Sequence, residues 1–143
     1  MKIFVMSEKQ INKYECDIPH AVISIRSPDR LGRTYIPKNN QRKGLMRLEF
    51  HDITEEPGDM DGLLEMFSID HAKRIKQFVL KHKELPVLIV NCEMGISRSS
   101  GVAAAISKYL TNDDAFYYQN YIPNRRVYKI LLEELMKEDE LPT

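Results

Sequence analysis

The segment Val90-Asn91-Cys92-Glu93-Met94-Gly95-Ile96-Ser97-Arg98-Ser99-Ser100 joins a short apolar run, PVLIV, to an alanine-rich stretch, GVAAAISKYL. A loop that leaves a strand and opens a helix turns several backbone N–H groups toward one point, where the helix dipole also favours negative charge. Such a loop is a cradle for a phosphate or a similar oxyanion. The amides of Glu93, Met94, Gly95, Ile96, Ser97 and Arg98 would form the ring. Gly95 permits backbone geometry that a side chain obstructs, and the Arg98 guanidinium closes the ring with two parallel donors. Cys92 lies at the base, where a helix N-terminus and an arginine both stabilise thiolate over thiol. Its chemistry would be in-line attack on the phosphorus of a bound phosphate, giving a cysteinyl-phosphate that water hydrolyses. Ser99 is placed to donate a hydrogen bond to the sulfur and ease its departure.

The competing reading of any lone cysteine is a buried structural thiol, because free cysteine is among the most buried residue types. That reading is adopted for Cys16. For Cys92 the offsets of Gly95, Arg98 and Ser99 favour the nucleophile, and an arginine just after a buried strand needs an anion or a carboxylate partner.

Cys92, five intervening residues, Arg98 and Ser99, in the form CEMGISRS, resemble the signature of the cysteine-dependent protein tyrosine phosphatase superfamily, most closely its small dual-specificity branch. The PVLIV and SGVAAAISKYL segments are similar to that branch as well. So is PNRRVYKILLEEL, since the last helix of the branch commonly opens with Pro-Asn. The resemblance runs from about Leu45 to Leu135. It departs at Asn91, where the family usually has His, and the Asn91 amide is expected to donate hydrogen bonds that order the loop. The resemblance also implies a general acid, an aspartate on a loop upstream of the nucleophile. Asp52, Asp59 and Asp61 are the candidates. Asp52 is chosen because it directly follows the LMRLEF segment, where the branch places its acid. The spacing to Cys92 implies an insertion in EEPGDMDGLLEMF, which keeps Asp59 and Asp61 open. The same carboxylate would accept a proton from the attacking water in the second step.

The elements that must hold these residues are legible as hydrophobic patterns. KIFVM at 2–6, AVISI at 21–25, LMRLEF at 45–50 and PVLIV at 86–90 read as strands, with a short helix or turn after the first. Residues 26–44, dense in Pro, Gly, Asn and basic side chains, read as a surface loop. Ser68 caps a predicted helix reaching about His82, residues 101–110 form a buried helix, and NDDAFYYQNY forms a helical turn or two. Asn124 caps a final helix with Val127, Leu131 and Leu135 on one stripe. Strands alternating with helices predict one α/β domain over 1–143, a four- or five-stranded sheet flanked by helices with the signature loop between a buried strand and a helix.

Composition bounds the partners. The 143 residues carry 21 basic and 21 acidic side chains, so a nucleic-acid track or an anionic membrane surface is not expected. The two cysteines form neither a disulfide framework nor a zinc pattern. No leader or span of roughly 20 apolar residues is evident, which predicts a soluble cytoplasmic chain, a monomer by default. His20, His51, His71 and His82 lack metal-ligand spacing and read as surface or helix histidines, so neither a metal nor another cofactor is expected. Arg125 and Arg126 read as a solvated helix start, and Tyr117, Tyr118, Tyr121 and Tyr128 as packing residues.

The function these readings favour is phosphomonoester hydrolysis, with a phosphorylated protein or a small phosphomonoester as substrate. Phosphoinositides are disfavoured because the signature loop lacks the lysines their phosphatases carry. RNA 5′-phosphatase chemistry stays open without support from the charge balance. The alternatives from other classes are a phosphate-binding pseudophosphatase module and thiol redox chemistry such as arsenate reduction. The latter is disfavoured because a resolving cysteine would have to be the distant Cys16.

Overall fold

Apolar, often β-branched runs make the strands at 2–6, 20–26 and 87–91, and the last of these ends just before Cys92. A computed structural model describes residues 1–55 and 64–138. In chain order the elements are β1 (Lys2–Met6), α1 (Glu8–Ile11), β2 (His20–Arg26), β3 (Arg42–Glu49), α2 (Ile69–His82), β4 (Val87–Asn91), α3 (Arg98–Thr111), α4 (Ala115–Asn120) and α5 (Arg125–Met136). The sheet has four strands in the order β1-β4-β2-β3, all paired in parallel. Parallel strands need long crossovers and are covered on both faces, which is why the central β2 and β4 read as near-continuous hydrophobic runs.

The main core lies between one face of the sheet and helices α2, α3 and α5. Ile23, Ile25, Leu88 and Val90 meet Ile75, Val102, Ile106 and Leu131 there, all of them buried. Removing a side chain of this size from water contributes about 1.5–3 kcal/mol. The alanines of α3 let its backbone approach closely, and at Gly101 an added Cβ would lie 3.0 Å from the Asn124 carbonyl. The opposite face is covered by a smaller cluster of Ile11, Val22, Val87 and Ile89, with Tyr14 and Ile36 packed against it. Caps define the helix starts. Ser68 Oγ accepts the His71 N–H, while His71 Nδ1 accepts the Ser68 N–H at 3.0 Å, a reciprocal box.

Two expectations need correction. The strand expected at 45–50 begins earlier, at Arg42, and ends at Glu49. Backbone pairing with β2 recruits these residues whatever their side chains, with a register shift between His20 and Ala21. Phe50 lies outside the strand, although its N–H still reaches the Arg26 carbonyl at 3.1 Å. His20 is neither a surface nor a helix residue, and His51 is half-buried outside any helix. His20 is buried in β2, with Nδ1 2.9 Å from the Ile18 carbonyl. His51 accepts the Glu65 N–H on Nδ1 at 3.0 Å, with Nε2 3.3 Å from Asp29. Asp59 and Asp61 lie outside the described residues. Among the described residues no helix is long and apolar enough to cross a membrane.

Candidate active site

The loop from Cys92 to Ser97 links the carboxyl end of β4 to the amino end of α3. Its path depends on Gly95, whose φ of +68° lies in the left-handed region. Space gives a second reason, since a Cβ here would lie 2.5 Å from the Ser7 nitrogen and 2.7 Å from the Met6 carbonyl carbon. The loop is tied to the β1–α1 connection by the Cys92 N–H on the Met6 carbonyl at 3.3 Å and the Glu8 N–H on the Glu93 carbonyl at 3.1 Å. Within the loop, the Ser100 hydroxyl donates to the Ile96 carbonyl. Met94 and Ile96 direct their side chains outward and are exposed, so the loop's inner surface is backbone.

Cys92 is buried, with Ser99 Oγ 3.1 Å from its sulfur. The Gly95 N–H donates to the same sulfur at 3.3 Å. Among the described residues, the N–H groups of Glu93, Met94, Ile96 and Ser97 have no acceptor. They sit just ahead of α3, whose first turn has no acidic residue and whose Ser97 cap makes no side-chain bond to it. Unsatisfied amides at the positive end of a 14-residue helix form an environment suited to an anion.

Arg98 is buried and held from three sides. Its Nη1 donates to Ser27 Oγ and to the Phe50 carbonyl, both at 2.9 Å, and Nη2 lies 3.9 Å from Glu93 Oε1. That carboxylate also accepts the Ser27 N–H at 2.8 Å and sits 3.5 Å from Arg30. Burial pushes the Glu93 carboxyl up. The Ser27 N–H and the nearby Arg98 and Arg30 charges outweigh it and hold the group below its ordinary value. The carboxylate partner that the sequence demanded for Arg98 therefore comes from within the same loop.

Asp52 lies just beyond the carboxyl end of β3 and is exposed. Its Oδ1 accepts the Ser97 hydroxyl at 3.0 Å and Asn124 Nδ2 at 2.7 Å. The structure thus brings Asp52, Ser97, Arg98, Ser99 and Cys92 to one end of the sheet. Ser27, the Phe50 carbonyl and Asn124 complete the arrangement and were not read from the sequence as site residues. Asn124 was visible only as a helix cap, a role it also performs by accepting the Val127 N–H at 3.0 Å. Asn91 needs a correction. It is fully buried, and neither polar atom of its side chain has a hydrogen-bond partner among the described residues. The bonds that order the loop come from Met6 and Glu8 instead, because the Asn91 side chain is enclosed within the sheet's core.

A parallel sheet that presents such a loop between its last strand and a buried helix defines the fold of the dual-specificity and tyrosine phosphatases, and this chain has that fold. Human tyrosine phosphatase-like serine/threonine/tyrosine-interacting protein is similar at a TM-score of 0.60 and 18% identity, over 92% of this chain and 89% of that one. Human DUSP28 is similar at 0.59 and 15% identity, over 93% and 90% of the two chains. PTPMT1 in complex with PI(5)P is similar at 0.52 and 17% identity, over 81% and 76%. No family model matches the sequence, and none of the curated proteins matches it.

Proposed function

We propose that this protein is a single-domain cysteine-dependent phosphomonoester hydrolase of the tyrosine or dual-specificity type. The observation that carries the reading is the environment of Cys92: a sulfur that receives the Gly95 N–H at 3.3 Å and lies 3.1 Å from Ser99 Oγ, ahead of a helix whose leading amides have no acceptor. The phosphate oxygens bind the amides of residues 93–98 and the Nε and Nη2 hydrogens of Arg98, which no bond among the described residues consumes. The Cys92 thiolate forms the S–P bond as the P–O bond to the leaving group breaks, and Asp52 gives that oxygen its proton. Water then attacks the phosphorus, surrendering a proton to the Asp52 carboxylate while the S–P bond breaks. The Ser99 hydroxyl donates to the departing thiolate. The Ser97 and Asn124 bonds to Asp52 hold the acid beside the same loop. A phosphorylated protein is the substrate class favoured, since the signature loop offers no lysine to additional lipid phosphates.

A second reading, a phosphate-binding module with little turnover, draws on Asn91: its amide has no hydrogen-bond partner among the described residues and so does not brace the cysteine from behind. Turnover of para-nitrophenyl phosphate by the wild type, Cys92→Ser and Asp52→Asn, with chelator present, separates the two. The hydrolase reading expects turnover that Cys92→Ser abolishes and Asp52→Asn lowers by about 10²–10⁴. Wild-type inactivity with retained phosphate binding selects the module. Full activity of Asp52→Asn alongside failure of Asp59→Asn or Asp61→Asn removes Asp52 from the role.

A further inference from the structure

Arg26, Arg33, Arg47 and Arg74 line a cleft of about 350 Å³ beside the β3 edge of the sheet. Glu49 and Glu65 share it, which leaves an excess of two positive charges among the described lining residues. The two carboxylates do not neutralise the arginines at contact. Glu65 lies 3.4 Å from His71, and among the described residues none of the four guanidiniums forms an ion pair. Their hydrogen bonds go to neutral carbonyls: Arg26 to Leu31 at 3.0 Å, Arg47 to Thr34 at 3.1 Å and Arg74 to Arg47 at 3.4 Å. Nε and Nη1 of Arg26 are buried with no partner among the described residues. A buried guanidinium donor left unpaired is costly, and the cost is relieved when an anion arrives. Burial, then the charges of Arg33, Arg42 and Arg26, push the Arg47 guanidinium below its ordinary value, as expected where like charges crowd without a counter-ion.

This positive cluster belongs to a chain with no net charge, so it is a local construction. It is also separate from the Cys92 loop. The segment 27–34 stands between the two, with Ser27 and Arg30 turned to Glu93 and with Gly32, Arg33 and Thr34 lining the cleft. We propose that the cleft is a second anion site that takes a phosphate group, bound by the forked donors of Arg26, Arg33, Arg47 and Arg74. Guanidiniums match phosphate oxygens with parallel N–H bonds, and a phosphate dianion balances the charge excess. The site does not depend on hydrolysis at Cys92.

Amide chemical-shift mapping tests it, with inorganic phosphate added to the wild type and a singly phosphorylated serine peptide added to Cys92→Ser. Two groups of shifts are expected, one at residues 93–98 and one around 26, 33, 47 and 74, with independent saturation. A peptide that saturates the second group at lower concentration than inorganic phosphate identifies phosphate carried on protein, and equal saturation identifies the free anion. Arg33 and Arg74 are exposed, so Arg33→Gln with Arg74→Gln leaves the fold intact. This double variant should raise the dissociation constant of the second group about tenfold or more while the first is unchanged, and Arg33→Lys with Arg74→Lys should restore part of it. Shifts confined to 93–98, or a second group indifferent to the glutamines, overturn the proposal. Absence of turnover in the wild type removes the hydrolase reading without touching this result.

Discussion

Asn124 Nδ2 donates to Asp52 Oδ1 at 2.7 Å, joining the start of the last helix to the end of an edge strand across 72 residues of sequence. The same Asn124 side chain accepts the Val127 N–H through Oδ1, so one amide caps α5 and orients the candidate acid.

These two roles separate by mutation. Asn124→Asp keeps the cap acceptor but replaces the donor with a carboxylate facing Asp52. It should keep the helix start but lose stability at pH 7 to the contact between two carboxylates, a loss that eases on acidification, and lose about tenfold or more in kcat on para-nitrophenyl phosphate, a part of the 10²–10⁴ that a positioned acid contributes. Asn124→Ala should lose turnover and also about 1 kcal/mol of stability in urea unfolding. An Asn124→Asp enzyme with unaltered kcat would show that the bond does not position Asp52.

Gly95→Ala tests the loop's backbone. The left-handed φ alone costs a non-glycine residue about 1–2 kcal/mol. The 2.5 Å approach to the Ser7 nitrogen adds to this, because backbone on both sides resists displacement. The expected result is a denaturation midpoint lowered by more than that strain alone accounts for, with weakened phosphate binding. A variant as stable as wild type would mean that the loop tolerates another path.

Glu93 links the site to acid stability. Its carboxyl is held below its ordinary value, so the folded state binds its proton less readily than the unfolded chain. Its contribution is full above the unfolded value of about 4.3 and is lost as pH falls through the lowered folded value. Wild type should therefore exceed Glu93→Gln in stability at pH 7, and the gap should close on acidification below about pH 4. A gap independent of pH between 7 and 3 would assign the difference to packing.

Asn91→Leu addresses the unpaired amide. Leucine has the same branching and number of heavy atoms, and it removes two buried polar groups that lack partners among the described residues. The variant should be neutral or gain about 1 kcal/mol in chemical denaturation, where most substitutions at a fully buried position lose that much. A loss of 2 kcal/mol or more would show that the amide is bonded in solution.

The strand-loop-helix around Cys92 was legible because its information is local. Hydrophobic period, a glycine at a fixed offset, and caps at Ser68 and Asn124 each act within a few residues, and all were placed correctly. β3 was read three residues late because its first residues pair through backbone bonds to β2, and such pairing leaves no mark in the side-chain pattern. His20 and His51 escape the side-chain pattern for a related reason: His20 is buried by pairing with β3 and β4, and the partners of His51 lie 14 and 22 residues away.

Cys92, Arg98 and Ser99 are therefore properties of one continuous stretch, and the amino-acid sequence alone determines their order and spacing. What holds them is decided elsewhere. Arg98 is anchored by Ser27 and Phe50, Asp52 by Ser97 and Asn124, and Gly95 against Met6 and Ser7. Each of these contacts forms because a parallel sheet gathers the carboxyl ends of its strands at one edge, bringing together residues that the sequence keeps far apart. The arginine cleft has the same origin: four charges spread over 49 positions become a cluster only when β2, β3, α2 and the 27–41 segment converge.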